Sequence, residues 1–392
     1  MIYQHQEHPI TLQKVVLLLI NLSLLLHSNI PQLSINDIVS KLSKSYCEVI
    51  KKGLSVKVLP SVMLWGAPGV GKSQAIRQIK DEIEYNTKKK VNITDVRLLL
   101  FNPIDLRGIP TANEDKTLAV WLKPKIFQMD ESDKVINILF LDEISAAPQS
   151  VQAAAYQITL DRVVGEHKLP DNCIVIAAGN RVTDKSVAFK MPKALANRML
   201  HIEADIDFDS WKSWAIRNNV HPKVVGFLSF RRTHLHKFNS SIDDLAFATP
   251  RSWEMVSNIL NFVSDDLDEV YPLVSGLVGT GVAMEFRTWC EIYSELPSIK
   301  DIFDGKMCKI PKTTDTMYAL VASMVSYAKT QTNNLTKIAN SIRYAEGFPP
   351  DFSVVLMRDY MYLEKDFKMK LMKIPEFVKW LNTKGKLINV SN

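Results

Sequence analysis

The feature that most constrains this chain is a glycine-rich loop directly after a short apolar strand, at residues 62–73 (VMLWGAPGVGKS). The pattern G-x-x-x-x-G-K-[ST] is met by Gly66, Gly71, Lys72 and Ser73. Such a loop turns successive backbone N–H groups towards a polyphosphate, and the helix that follows adds its N-terminal partial positive charge. The sequence therefore predicts a nucleotide site with contacts from Gly66, Ala67, Pro68, Gly69, Val70, Gly71, Lys72, Ser73 and Gln74.

The last two polar side chains of this loop have different predicted roles. Lys72 would contact the β and γ phosphates of ATP, and Ser73 would ligate Mg²⁺. A glycine-rich turn before a helix also arises by chance. Here the apolar residues 62–64 supply the strand and a helical stretch follows at once, so the order strand, loop, helix favours nucleotide binding.

Three further apolar runs of strand length follow the loop, at residues 96–100, 136–141 and 174–178. Runs of this length that are separated by helical stretches are typical of a parallel sheet buried on both faces. An amphipathic helix from about Ser34, stopping at Gly53, would precede this core. The predicted fold class is α/β, with a parallel sheet around the phosphate-binding loop.

An acidic pair, Asp142 and Glu143, ends the third apolar run. Carboxylates at the carboxyl end of a buried parallel strand lie where such sheets bind their ligands. Asp142 would hold the Mg²⁺ that Ser73 also contacts, and Glu143 would orient and polarise the attacking water. Asn180 follows the fourth run, and its amide could hydrogen-bond the γ phosphate or the water.

The order of these motifs resembles the AAA+ ATPases, and more closely their MoxR branch. The matching stretches lie between about residues 60 and 255: NPIDLRGIP (102–110), FLDEISAAPQSVQAAAYQITLDRVVGE (140–166), AAGN (177–180), MPKALANRML (191–200) and TPRSWE (249–254). The resemblance implies a Mg²⁺-dependent ATPase. It also implies that the parallel-sheet core is followed by an all-helical lid and a helical C-terminal extension.

Three site residues take their roles from this resemblance. Asn180 would be sensor 1, Arg198 would be an arginine finger that reaches the nucleotide of a neighbouring subunit, and Arg251 would be the sensor 2 arginine of the lid. Thr249 as N-cap and Pro250 as first helical residue would place Arg251 in the first turn of a helix. From the residues alone, each arginine could equally be an exposed side chain or part of a salt bridge.

The MoxR resemblance also implies partners. It implies a homo-oligomeric ring, usually hexameric, and a protein partner with a von Willebrand factor A domain that the ring remodels or activates. It matches the hairpins predicted at 109–125 and 162–169 to family inserts that contact substrate, although a plain surface hairpin fits the residues equally well. The alternative functions are a nucleic-acid motor or clamp loader, and a slow nucleotide-dependent switch.

The charge distribution and the cysteine spacing weigh against a nucleic-acid-binding surface and a zinc site. The net charge of +6 is spread along the chain with one short run at 88–90, which is sparser than a nucleic-acid footprint. The four cysteines form no C-x-x-C pair and no zinc spacing, so we expect free thiols in the cytoplasm. Arg231, Arg232, His234 and His236 are interpreted as a solvated basic turn.

Four regions are predicted along the chain: an N-terminal extension (1–32), the AAA+ nucleotide-binding domain (33–206), the lid (207–295) and the C-terminal extension (296–392). Residues 15–26 are apolar but shorter than the about 20 residues that span a bilayer, so a packed or membrane-surface helix, or an over-extended start of the chain, is expected. Helices are predicted at 209–217, 222–230, 249–262, 271–293, 314–329, 335–345, 352–367 and 375–382.

Overall fold

The computed structural model describes residues 30–181, 191, 196–237, 245–364 and 366–385. Six strands of these residues form one parallel sheet: β1 (Gln32–Ser34), β2 (Val62–Trp65), β3 (Lys90–Arg97), β6 (Val135–Asp142), β9 (Cys173–Gly179) and β10 (Leu200–Asp205). Their order across the sheet is β1-β10-β2-β9-β6-β3. The predicted parallel α/β core is confirmed. The apolar segment 15–26 lies outside the described residues.

Helices cover both faces of the sheet. One face packs against α1 (Ile35–Lys51) and α2 (Lys72–Thr87), and the other packs against α4 (Gln149–Asp161). Because of this cover, β9 is buried along its whole length and reads as an apolar run. β9 lies between β2 and β6, so the residue after β9 reaches the sheet edge between the phosphate-binding loop and the acidic pair.

One predicted strand is displaced. The strand expected at 96–100 is β3, which spans Lys90–Arg97, and Leu98–Leu100 form a 3₁₀ turn in which Leu100 is 75% exposed. β3 is an edge strand and pairs with β6 alone among the described strands. An edge strand is covered less completely than a central strand, so β3 includes exposed polar residues. The continuous apolar run of the sequence therefore lies mostly in the 3₁₀ turn and not in the strand.

Both predicted hairpins are present. β4 (Ile109–Ala112) pairs antiparallel with β5 (Ala119–Leu122), and β7 (Val163–Val164) pairs antiparallel with β8 (His167–Lys168). The two hairpins contact each other, since His167 Nε2 lies 2.7 Å from the carbonyl oxygen of Trp121. They therefore pack against each other.

The rest of the described chain is helical. A short helix, α3 (Pro103–Arg107), precedes the first hairpin, and the C-terminal half contains α5 (Phe208–Arg217), α6 (Pro222–Phe230), α7 (Pro250–Phe262), α8 (Leu267–Val278), α9 (Thr280–Cys290), α10 (Ile299–Phe303), α11 (Thr314–Thr330), α12 (Leu335–Ala345), α13 (Pro350–Tyr360), α14 (Phe367–Leu371) and α15 (Pro375–Lys384). The predicted helical lid and extension are confirmed as helical regions, while the boundaries drawn at 206 and 295 stay predictions.

Two predicted helices were too long. The helix expected at 271–293 is divided into α8 and α9, because Gly279 ends α8 with φ +85°. The helix expected at 352–367 ends at Tyr360, and the chain turns before α14. Tyr360, Leu363 and Phe367 are all buried, and the turn allows all three to enter the same core.

The lid and the extension pack tightly together. The apolar cluster of the lid includes Ala319 and Ala322 from α11. An ion pair joins α5 to α13, with Lys212 Nζ 2.5 Å from Asp359 Oδ2, and both side chains are buried. Breaking such a pair from one side leaves an uncompensated buried charge, so it couples the two helices strongly.

The histidine-containing turn differs from its prediction. Arg231 and Arg232 are exposed, as expected for a solvated turn, but His234 is buried and its Nε2 lies 3.1 Å from Glu285 Oε2. The interpretation as a solvated basic turn was therefore wrong for His234. Within the described ranges, no group of three or more His, Cys, Asp or Glu residues could hold a metal ion.

Two further observations concern the cysteines and the search for membrane-spanning helices. The four cysteines are free thiols, and burial raises the pKa of Cys173 to about 11. Among the helices of the described residues, none is both long enough and apolar enough to cross a membrane.

Candidate functional site

Glycines give the loop between β2 and α2 its shape. Gly71 caps α2 in the left-handed conformation, with φ +106°, which a side chain would disfavour. Gly69 has φ +77°, and a Cβ there would lie 3.0 Å from Cβ of Thr249. Gly69 therefore serves both the turn of the loop and the close approach of the lid, because Thr249 begins α7.

Lys72 lies inside this loop, and 9% of its surface is exposed. Its Nζ donates to the carbonyl oxygens of Gly66 (2.7 Å) and Ala67 (3.1 Å) and to Oδ1 of Asn180 (3.1 Å). An ammonium has three donors, and these bonds aim them at the loop and at the end of β9. The loop thus joins a buried cation to the amide that follows the neighbouring strand.

The acidic pair lies on the other side of β9. Ser73 Oγ donates to Asp142 Oδ2 at 3.1 Å, and Asp142 Oδ1 accepts from the backbone N–H of Glu143 at 2.9 Å. Glu143 has φ +59°, a conformation that costs a residue with a side chain about 1–3 kcal/mol. The surrounding structure holds Glu143 in this conformation, and its side chain lines the cavity described next.

A cavity of about 480 Å³ opens over the loop. This volume is typical of small-molecule sites. Its lining includes these predicted residues: Pro68, Gly69, Val70, Gly71, Lys72, Ser73, Gln74, Asp142, Glu143, Asn180 and Arg251. It also includes the apolar side chains of Ile35, Ile206, Trp211 and Leu235. The cavity therefore offers charged, polar and apolar contacts to a single ligand.

Several charged residues of the cavity lining were not predicted: Arg77, Asp95, Arg97, Asp205, Asp207 and Glu254. Burial, and then the charge of Asp142, raise the pKa of Asp95. The predicted strand began at residue 96, one residue after Asp95, so Asp95 was not included in it. No local sequence pattern marks the two strand residues Asp95 and Arg97, because their place in the site follows from the register of β3 against β6, which pairs Arg97 with Asp142.

The two arginines taken from the family pattern lie in different places. Arg251 lies in the first turn of α7, where the predicted cap is confirmed, since Thr249 Oγ1 accepts from the N–H of Ser252 at 3.0 Å. Arg251 lines the cavity. Arg198 is exposed just before β10 and is not among the described residues that line the cavity of its own subunit.

The segment that carries most of the site matches a known family. Residues 61–201 match the family described as "ATPase family associated with various cellular activities (AAA)". This segment contains the phosphate-binding loop, Asp142, Glu143, Asn180 and Arg198. No curated protein sequence matches the chain.

Several solved structures are similar over most of the chain. PCH-2 of C. elegans is 14% identical, with TM-score 0.34, over 67% of this chain and 68% of that chain. A mutant of RuvB from Thermotoga maritima is 16% identical, with TM-score 0.34, over 74% and 84%. NtrX from Brucella abortus in complex with ADP is 16% identical, with TM-score 0.32, over 83% and 68%. Likeness at this level carries no functional argument, and the fold rests on the sheet order given above.

Proposed function

We propose that residues 61–201 form the motor of a MoxR-type ATPase, which couples ATP binding and hydrolysis to the remodelling or activation of a protein partner. One observation carries this proposal: a single cavity brings together Lys72, Asp142, Glu143 and Asn180, which come from three different strand ends. A buried cation, an acidic pair and an amide at one sheet edge are the groups that phosphoryl transfer to water requires.

The lining of the cavity supports ATP as the ligand. The triphosphate would lie against the loop N–H groups and Lys72, and the base would contact apolar lining residues such as Trp211. Lys72 donates to Oδ1 of Asn180, so the amide N–H groups of Asn180 would be the ones to donate to the γ phosphate or the water. By the MoxR resemblance, the guanidinium of Arg251 would contact the phosphates from the lid, and Arg251 lines the cavity.

The oxygen atoms beside the loop fit a magnesium ion. Ser73 Oγ and Asp142 Oδ2 are hard ligands 3.1 Å apart, and Mg²⁺ is commonly held by one or two protein oxygens together with water and phosphate. Bound there, the ion would neutralise charge on the phosphates. Glu143 would accept the proton of the attacking water, since its carboxylate lines the same cavity.

Replacing Lys72 with alanine tests the nucleotide site directly. Removal of an ammonium that makes charge-assisted bonds to phosphate should weaken ATP binding by about 100-fold or more. Binding of a fluorescent ATP analogue measures the change. Lys80→Ala is the matched control, because Lys80 lies on the same helix and pairs with Glu84. Wild-type affinity in Lys72→Ala would contradict the proposal.

Exposed apolar side chains support a protein partner. In the β4–β5 hairpin Ile109, Leu118 and Leu122 are 60%, 67% and 57% exposed, and Leu100, which precedes the hairpin in the chain, is 75% exposed. Ile109 and Leu122 are paired in the register of the hairpin, and exposed apolar side chains that neighbour one another are typical of a surface that binds protein. A partner with a von Willebrand factor A domain, a hexameric ring and a cytoplasmic location belong to the proposal through the MoxR resemblance.

Capture from cells tests the partner. Glu143→Gln should hold ATP without cleaving it and should enrich a protein that wild type releases. Adding Leu118→Asp should remove this protein from the capture, since a carboxylate would be placed in the apolar contact. Phe262→Asp is the control, because Phe262 is 83% exposed but lies on α7 of the lid. Nuclease-sensitive material that is lost at high salt would favour the nucleic-acid alternative instead.

A further inference from the structure

A histidine connects the turn that carries Arg198 to the sheet. His201 lies on β10, with Nε2 2.6 Å from the carbonyl oxygen of Ala196 and Nδ1 2.9 Å from Nε1 of Trp65. A carbonyl oxygen can only accept, so Nε2 carries the proton. An indole N–H can only donate, so Nδ1 presents its lone pair. The two bonds together fix the neutral Nε2–H tautomer and the orientation of the ring.

The donor to this histidine belongs to the strand of the phosphate-binding loop. Trp65 is the last residue of β2, and the loop begins at Gly66. The rings of Trp65 and His201 are stacked, with centroids 6.1 Å apart and planes 15° apart. A continuous set of contacts thus runs from Trp65, the residue before the loop, through the His201 ring, to the backbone two residues before Arg198.

The carbonyl of Ala196 is also where the turn closes. It accepts from the N–H of Met199 at 3.3 Å, which is long, and from His201 at 2.6 Å. Arg198 lies inside this turn, and its side chain is exposed. Of the two hydrogen bonds to the carbonyl oxygen of Ala196, the one from the imidazole is therefore the shorter. Together they hold the backbone on either side of Arg198.

We propose that His201 is a positioning residue for Arg198, fixing the turn at 196–199 against Trp65 so that the guanidinium is presented to the nucleotide of the neighbouring subunit. This inference rests on the proposed role of Arg198 in trans. His201 then acts in the subunit that supplies Arg198, and not in the subunit whose nucleotide is cleaved.

Two substitutions distinguish the roles of the two ring nitrogens of His201. Asparagine at 201 keeps an oxygen near the place of Nδ1, for Trp65, but cannot donate to Ala196. Glutamine keeps a donor near the place of Nε2. His201→Asn should lower turnover about tenfold with unchanged ATP affinity, since a hydrogen bond that orients Arg198 is lost. His201→Gln should stay within about twofold of wild type.

Mixed rings locate the effect. In rings of Arg198→Ala and Lys72→Ala subunits, cleavage occurs in the Arg198→Ala subunit with the arginine of its Lys72→Ala neighbour. Adding His201→Asn to the Lys72→Ala protein should lower the recovered activity about tenfold. Adding it to the Arg198→Ala protein should leave the recovered activity unchanged. A residue that merely stabilises its own subunit would give the opposite or an equal pattern, and that result would overturn the inference.

A measurement independent of turnover covers the remaining outcomes. Amide hydrogen exchange in the segment 196–200 should be faster in His201→Asn, and intermediate in Trp65→Phe, which keeps the ring stack but removes the donor. Unchanged exchange, or wild-type turnover in His201→Asn while Arg198→Ala is inactive, overturns the inference and leaves the proposed function standing. Wild-type turnover in Arg198→Ala instead removes the role of Arg198 itself, and the inference with it.

Discussion

Replacement of Glu143 with glutamine is expected to lower ATP turnover by about 10²- to 10⁴-fold while ATP binding stays at the wild-type level. Glutamine keeps the size of the side chain and its place in the cavity, but it cannot accept a proton from water. Lys72→Ala should fail at the earlier step, because the proposed role of this buried ammonium is to bind phosphate and not to activate water. Phosphate release and ATP affinity, measured on the same preparations, separate the two defects.

The controls for this prediction are chemical and structural. Glu131→Gln makes the same change at an exposed position before β6 and should leave turnover unchanged. Equal loss of ATP binding in Glu143→Gln and Lys72→Ala would contradict the roles given to both residues. If the wild-type protein binds ATP but its turnover is no faster than that of Glu143→Gln, the chain is the slow nucleotide-dependent switch.

The parts of the site that the sequence predicts are those held by neighbours in the chain. Lys72 and Ser73 are fixed by the loop and helix to which they belong, and Asp142 and Glu143 by the end of one buried strand. Their roles can therefore be predicted from the residues next to them in the sequence. The contact between Lys72 and Asn180 depends on β9 lying beside β2, which is a property of strand order and leaves no local pattern.

The errors have the same origin. β3 was displaced because an edge strand needs no continuous apolar run, and Asp95 was missed with it. The predicted solvated turn fails at His234 because Glu285, on another helix, faces its ring. The link from Trp65 through His201 to Ala196 spans more than 100 residues of sequence, and it exists because β10 pairs with β2. Tertiary pairing, which sequence periodicity does not encode, decides each of these cases.

Replacement of Arg198 with alanine is expected to lower turnover by about 10³- to 10⁵-fold with normal ATP binding. Transfer of the γ phosphate spreads negative charge over its oxygens, and a guanidinium placed there stabilises that charge. Arg198 is exposed, and it is absent from the described lining of its own cavity. In a head-to-tail ring each subunit offers its nucleotide to one neighbour and a different surface to the other, so the arginine can act in trans.

Mixing two inactive proteins makes this prediction sharp. A site in an Arg198→Ala subunit keeps its Lys72 and can use Arg198 of a Lys72→Ala neighbour, so random assortment at equal ratio repairs roughly a quarter of the sites. ATPase activity should reappear when subunits exchange. If mixed assemblies form and single-turnover rates at the repaired sites stay at zero, Arg198 acts within its own subunit. If single turnovers recover while steady-state turnover does not, Arg198 acts in trans and hydrolysis around the ring is strictly coupled.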